Sequence, residues 1–289
     1  MTPQIRSLSP DDPAYPGRLR DLKKPPAVVH VAGEMSSGPV IGVVGTRKPS
    51  ADADGFAREL AATLASHGAI VVSGGAVGID AAAHEGALDA GGVTWVVAAT
   101  GPRHVFPKDN AALFDRVVLR GGVMIWPFEE GRKAHLSTFR VRNGVLAALV
   151  DALVIVQAGA PSGTLNAAAW ARRLGRPVWA VCAPPWMQGY TGCASVIDRG
   201  AKPLVSVRSF LKELGLPTPK VDQPPNVARN DVERALLELL STTNCKHLDE
   251  IAAKSGLSVP VVSTALLTLA LENVVVEGPE GFFSRATAR

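Results

Sequence analysis

Three short stretches set glycine beside a hydroxyl residue just where an extended run gives way to a helical one. They are Gly45-Thr46-Arg47 in "GTRKPS" (45–50), Ser73-Gly74-Gly75 in "SGGAVGID" (73–80) and Ser162-Gly163-Thr164 in "APSGT" (160–164). Glycine lets a backbone turn sharply and lets a ligand come close to main-chain N–H groups. A hydroxyl adds a donor, and a following helix N-terminus adds partial positive charge. The chemistry these features suit is phosphate binding. Arg47 adds a planar fork of donors fit for bidentate phosphate contact. One such loop alone is equally a tight turn that needs glycine for its own sake. Three of them on one edge of a parallel sheet point to a shared anion pocket.

Two further stretches could border that pocket. "RHVFPKDN" (103–110) carries Arg103, Phe106, Lys108 and Asn110. "GRKAHLSTFRVRN" (131–143) carries Arg132, Lys133, His135, Phe139, Arg140, Arg142 and Asn143. Cations interleaved with an aromatic suit single-stranded nucleic acid, the cations for the backbone and the ring for a stacked base. A solvated basic loop around a core phenylalanine has the same composition, and both readings stay open at this level.

Other chemistries lack their residues. The first loop is not G-x-x-x-x-G-K-[ST], and no G-x-G-x-x-G with a well-placed acid supports a dinucleotide. No G-x-S-x-G elbow is present. The three cysteines, Cys182, Cys193 and Cys245, form no CxxC pair, so neither a disulfide framework nor a zinc knuckle is expected. Cys245 and His247 fit a solvated turn better than a metal site. His84 fits helix packing better than a catalytic base, and Asp80 fits a helix start or turn brace. No metal and no cofactor are expected.

Positioning these residues takes a particular scaffold. Apolar runs at 40–45, 69–75, 93–100, 123–126, 153–158 and 177–183 alternate with helical patterns at 51–68, 79–91, 111–122 and 164–175. Near-continuous apolar strands imply a sheet covered on both faces, and the alternation implies parallel pairing. The reading is an α/β, Rossmann-like, doubly wound, mostly parallel sheet over residues 40–212, with residues 1–39 an extension packing on its core. The stretch 144–160 reads as a helix followed by a buried strand, and 189–204 as a loop with a short helix. Residues 213–229 are proline-rich and read as a linker. Residues 230–289 read as three helices and a hairpin turning at Gly278-Pro279-Glu280-Gly281, a small C-terminal winged helix.

Hydrophobic residues make up 47% of the 289 and charged ones 19%, with a net charge of +4, as expected of a globular chain. Residues 40–206 hold 16 basic and 12 acidic side chains, whereas 226–289 hold 6 and 8. A polyanion should therefore prefer the middle of the chain. No apolar signal core opens the chain and its most apolar stretch is broken by Asp151 and Gln157, so a cytoplasmic location without a membrane span is expected.

The ordered set "YPGRL" (15–19), "GTRKP" (45–49), "SGGAVGIDAAAHEGAL" (73–88), "VFPKDN" (105–110), "FRVRN" (139–143), "PSGTLNAA" (161–168) and "GC…IDRGA" (192–201) closely resembles the DNA-processing protein A family (DprA/Smf). The resemblance runs over nearly the whole chain. It implies a homodimeric, non-enzymatic protein that binds single-stranded DNA, protects incoming DNA and helps load the RecA recombinase in natural transformation. It implies that Arg47 grips phosphate and Lys108 adds charge at the rim. Phe139, Arg142 and Asn143 would touch the strand and its bases, and Ser73, Gly74, Gly75, Ser162, Gly163 and Thr164 would form the floor. Gly45, Thr46, Asn110 and Arg140 complete the expected site. The chain departs from the family pattern at Phe106-Pro107, where Tyr-Pro is usual, and at Gly144, where an arginine usually follows Arg142-Asn143. It also lacks the usual proline-rich run before "FRVRN".

The expected recognition helix of the winged domain, 258–273, contains no Lys or Arg. A duplex-reading helix presents such residues to a groove, so this domain is expected to make protein contacts or pack on itself. The rival reading is a lysine-decarboxylase-like nucleotide hydrolase, which resembles a P-G-G-x-G-T-x-x-E signature. Here Asn166, Ala167 and Ala168 supply no carboxylate in any register. A third reading is a nucleotide sensor with a small ligand in the pocket.

Overall fold

The computed structural model describes residues 4–184, 186–216, 231–241, 245–271, 274–278 and 281–285. Contacts divide the chain into two units, one ending at Pro219 and the other starting at Lys220.

The first unit runs β1 (Ile5–Leu8), β2 (Val29–Ala32), β3 (Val40–Val44), α1 (Ala51–Ser66), β4 (Ile70–Ser73), α2 (Ile79–Asp89), β5 (Thr94–Val97), α3 (Ala111–Leu119), β6 (Val123–Trp126), α4 (Leu136–Leu149), β7 (Ala152–Ile155), α5 (Thr164–Arg173), β8 (Val178–Val181), α6 (Thr191–Asp198), β9 (Lys202–Leu204) and α7 (Val207–Glu213). The sheet order is β1-β2-β6-β5-β4-β3-β7-β8-β9. Every pairing from β6 across to β9 is parallel, while β1 pairs β2 and β2 pairs β6 antiparallel. The doubly wound, Rossmann-like sheet is thus present, and residues 1–39 do more than pack on it. They add its two antiparallel strands.

Alternation along each strand feeds two cores. Ile41, Val43, Val71 and Val154 face α1, α2 and α7. Val40, Val44, Ile70, Val72, Leu153 and Ile155 face α4, α5 and α6. β9 and α7 were not foreseen from the sequence. Residues 213–216, read as the start of a linker, belong partly to this unit, since Leu216 is buried beside Phe210 and Leu211. The rest of that stretch lies outside the described residues.

Helix α4 begins earlier than the apolar run suggests. The main-chain N–H of His135 donates to Thr138 Oγ1 (2.9 Å), and the N–H of Ser137 donates to His135 Nδ1 (3.3 Å). These bonds occupy donors that a helix start would leave unpaired. The helix buries Thr138, Arg142, Val145, Leu146 and Leu149, a helical period, and leaves Leu136, Arg140 and Val141 exposed. Phe139, Arg142 and Asn143 are therefore helical residues and not part of a basic loop.

His84 is fully buried on α2. Thr94 Oγ1 donates to Val71 O (2.7 Å), so the His84 Nδ1–H must donate to that hydroxyl (2.7 Å). Nε2 then has no hydrogen-bond partner among the described residues. Burial, with the Arg142 charge second, pushes the ring down to about 3. Below about pH 6.5 an unfolded chain takes up a proton there that the folded chain refuses, so stability falls with acidification. Between about pH 7 and 5 this one group should cost about 2 kcal/mol. Urea unfolding at both pH values checks it, because His84→Gln should lose that increment of acid sensitivity.

The second unit holds α8 (Asp231–Leu239), β10 (Lys246–His247), α9 (Leu248–Ser255), α10 (Val259–Leu271), β11 (Val275–Glu277) and β12 (Phe282–Arg285), with sheet order β10-β12-β11. Leu236, Ile251, Val262, Leu266, Leu269 and Phe283 form its core. Gly256 ends α9 in the left-handed region (φ 70°), and the chain re-enters a helix at a 113° bend. That is helix-turn-helix geometry, and the unit is a winged helix. Pro279 and Glu280 of the expected hairpin turn lie outside the described residues.

Candidate nucleic-acid interface

The chain leaves β3 through α1 on one face of the sheet and leaves the neighbouring β7 through α5 on the other. A crevice opens at such a switch point, outside the carboxyl ends of the strands. Two of the three Gly/hydroxyl turns meet there. Thr164 Oγ1 donates to Gly45 O (3.0 Å), and the Thr46 and Ser50 N–H groups donate to the backbone O (2.8 Å) and side-chain Oε1 (3.0 Å) of buried Gln157. Gly45 is required, because a Cβ there would lie 2.6 Å from Ile79 Cγ1. The turns line a cavity of about 520 Å³ with Thr46, Arg47, Lys48, Asn143, Ser162 and Gly163. Asn143 Nδ2 donates to Gly163 O (3.3 Å), which ties α4 to the second turn.

The third turn serves differently from the expectation. Ser73 is buried and donates to Val43 O (2.6 Å), locking β4 to β3. The N–H groups of Gly74 (3.2 Å) and Ala76 (3.3 Å) both donate to Asp80 Oδ2. The seat at the start of α2 is thus already filled by the chain's own carboxylate. Gly75 (φ 72°) lies against Phe114, and Asn110 Nδ2 donates to Gly75 O (2.9 Å). Ser73, Gly75 and Asn110 therefore brace the wall and do not face the cavities.

The space spared at Gly74 is taken by Arg142. A Cβ at position 74 would fall 1.6 Å from Arg142 Nη1. The guanidinium is buried and donates from Nη1 to Val97 O (3.0 Å), while Nε has no partner among the described residues. Burial holds it below the usual arginine range and the Arg47 charge adds to that, with Asp80 opposing. Burial likewise raises the Asp80 carboxyl, against the pull of Arg142 and its amide donors.

Phe139 joins the parts. Arg47 lies over its ring at 4.8 Å and Arg142 at 5.8 Å, and Phe106 meets it edge-on at 5.8 Å. The Arg47–Phe139 pair borders the first cavity and also a second of about 430 Å³, lined by Val77, Val105, Phe106, Lys108 and Asp109 among others. Among the described residues no carboxylate pairs with Arg47 or Lys108. Arg103 pairs with Glu130 (2.6 Å), and exposed Arg140 lines neither cavity. Lys48 and Leu136 line the larger cavity and were not singled out in the sequence. Lys48 follows Arg47 directly, and its position in the turn was the available signal. Gly144 faces the Trp170 ring, where a Cβ would sit 3.1 Å from Cε2, so a side chain there would press on that ring.

The family model described as DNA recombination-mediator protein A matches residues 6–215, and the DprA winged helix domain model matches 218–281. A putative DNA processing protein DprA of Mycobacterium tuberculosis is 35% identical over 272 residues, 87% of this chain and 70% of the relative. DNA processing protein A of Streptococcus pneumoniae, solved by X-ray, superposes with a TM-score of 0.67 at 29% identity, covering 73% of this chain and 74% of that one. A structure of the Helicobacter pylori protein, described for its single-stranded DNA binding mode, gives 0.66 at 25% identity, covering 74% and 98%.

Proposed function

Because the chain belongs to the DNA recombination-mediator protein A family, we propose that it binds single-stranded DNA along the carboxyl edge of the sheet and catalyses no reaction on it. The observation that carries this reading is the Phe139 ring flanked by two guanidiniums at the meeting of two cavities. Exposed Arg47 and Lys108 attract phosphates, and the apolar walls around Val105, Phe106 and Phe139 accept bases. Buried Arg142, short of hydrogen-bond acceptors, adds positive potential from below. Duplex DNA hides its base faces, so a site built from rings and pockets favours unpaired strands.

From family membership the reading extends to a homodimer that protects incoming strands in the cytoplasm and passes them to the RecA recombinase during natural transformation. Among the described residues no single helix is long and apolar enough to cross a membrane. The winged helix, without a cation on its second helix-turn-helix helix, acts through protein contact.

Titration of labelled single- and double-stranded oligonucleotides at two salt concentrations tests the reading. The full chain should bind the single strand more tightly at both salts, and residues 226–289 alone should not retain duplex. Equal affinity for both forms would count against it, as would release of free base from nucleoside monophosphates.

A further inference from the structure

Resting on that reading, we propose that Trp186 is a separate stacking platform for single-stranded DNA, and that a strand seated at Arg47 continues over it. Trp186 is 83% exposed, whereas Trp95, Trp126 and Trp179 are buried. Tryptophan, with a broad apolar ring and a polar N–H, is enriched at contact surfaces.

The ring is held outward by a built loop. The Met187 N–H donates to Pro184 O (2.9 Å), making a turn with Trp186 at its tip. Gly189 (φ 83°) presses on Gln157, where a Cβ would lie 2.9 Å from Nε2. Gln157 is the same residue that accepts from the Thr46 and Ser50 N–H groups. One buried residue, through its carbonyl and its side chain, therefore braces both the turn bearing Arg47 and Lys48 and the loop bearing Trp186. The Ala160 N–H donates to Thr191 Oγ1 (3.1 Å), and the Gly192 N–H to Ala158 O (2.8 Å), fastening the loop's far end to the turn that carries Ser162.

Topology puts the loop in line with the site. β8 is the next parallel strand after β7, so its carboxyl end lies on the same edge. From the end of β5, which leads to Lys108, to the end of β8 is four inter-strand steps, roughly 19 Å at about 4.8 Å each. Residues 182–190 carry no charge, so the loop offers a ring face with nothing to repel a polyanion. Phe139 has a guanidinium over its ring, but the Trp186 face is open to a base of any sequence.

The test uses the full chain, a long and a short oligothymidylate, and the variants Trp186→Ala and Trp186→Phe. Anisotropy of labelled strands gives affinity, and intrinsic emission follows the exposed ring. Trp186→Ala should weaken binding of the long strand about tenfold and leave the short one, which occupies only the Arg47–Lys108 region, unchanged. Trp186→Phe should bind the long strand nearly as the unaltered chain does, and should lose the quenching of solvent-exposed emission that binding produces. If Trp186→Ala binds the long strand normally while Arg47→Ala does not, the proposal is wrong and the central site stands. If the unaltered chain binds neither strand, both fall. If Trp186→Ala changes the mass of the particle in solution and not its DNA affinity, the ring is a protein contact and the proposal is overturned.

Discussion

Replacing Arg47 and Lys108 together by alanine should abolish measurable single-strand binding at physiological salt and leave the fold intact. Each is a cation that lines a cavity and has no carboxylate partner among the described residues. A hydrogen bond to a charged group contributes about 1.5–3 kcal/mol, so losing two costs about 3–6 kcal/mol, more than a hundredfold in affinity. Each phosphate contact to a single strand contributes about 0.7 to the slope of log affinity against log salt. The double variant should therefore show a slope shallower by about 1.4. Thermal unfolding should barely move, because truncating an exposed side chain without an ion pair changes stability by about 0.5 kcal/mol or less. Arg47→Lys should recover part of the salt slope but not full affinity, since an ammonium lacks the planar fork that lies on Phe139. Affinity and slope both unchanged in the double variant would remove the site from this edge of the sheet.

Gly74→Ala should unfold or gravely destabilise the first unit, although it adds only a methyl group. The added Cβ would sit 1.6 Å from Arg142 Nη1 and 2.3 Å from Cζ, so the guanidinium must leave. It would then lose Val97 O and the countercharge of Asp80. Breaking a buried charged arrangement on one side costs about 3–5 kcal/mol. Arg142 also shares α4 with Phe139, so strand binding should fall as well. Denaturant melts of Gly74→Ala, Arg142→Met and the double variant separate the causes. If the clash is responsible, the double variant loses much less than the two single losses together. A Gly74→Ala chain as stable as the original would show that Arg142 is not held in the space the glycine spares.

The limits of reading residues in order are plain at these same positions. Glycine at 74 was legible as a place where something must come close, but the visitor is the chain's own arginine. Asp80 was legible as a brace at a helix start, yet that it uses up the amides of the glycine turn follows only from the fold around α2. Ser73 and Asn110 looked like ligand donors and spend their hydrogen bonds on Val43 O and Gly75 O. A polar side chain's partner is chosen by what the fold brings within about 3 Å, and residue type does not reveal it. Arg140, grouped with Phe139 by sequence, lines neither cavity because a helix turns neighbouring residues to different faces.

Apolar periodicity and turn glycines by themselves determined the parallel core of the sheet, the winged helix and the gathering of the strands' carboxyl-end loops on one edge, because each follows from local pattern and chain order. Only the tertiary structure decided that residues 5–8 and 29–32 complete the sheet, that α4 starts at Leu136, and that two guanidiniums and a ring meet between two cavities. Those outcomes join residues tens of positions apart, and they depend on where buried hydrogen bonds and close packing find their partners.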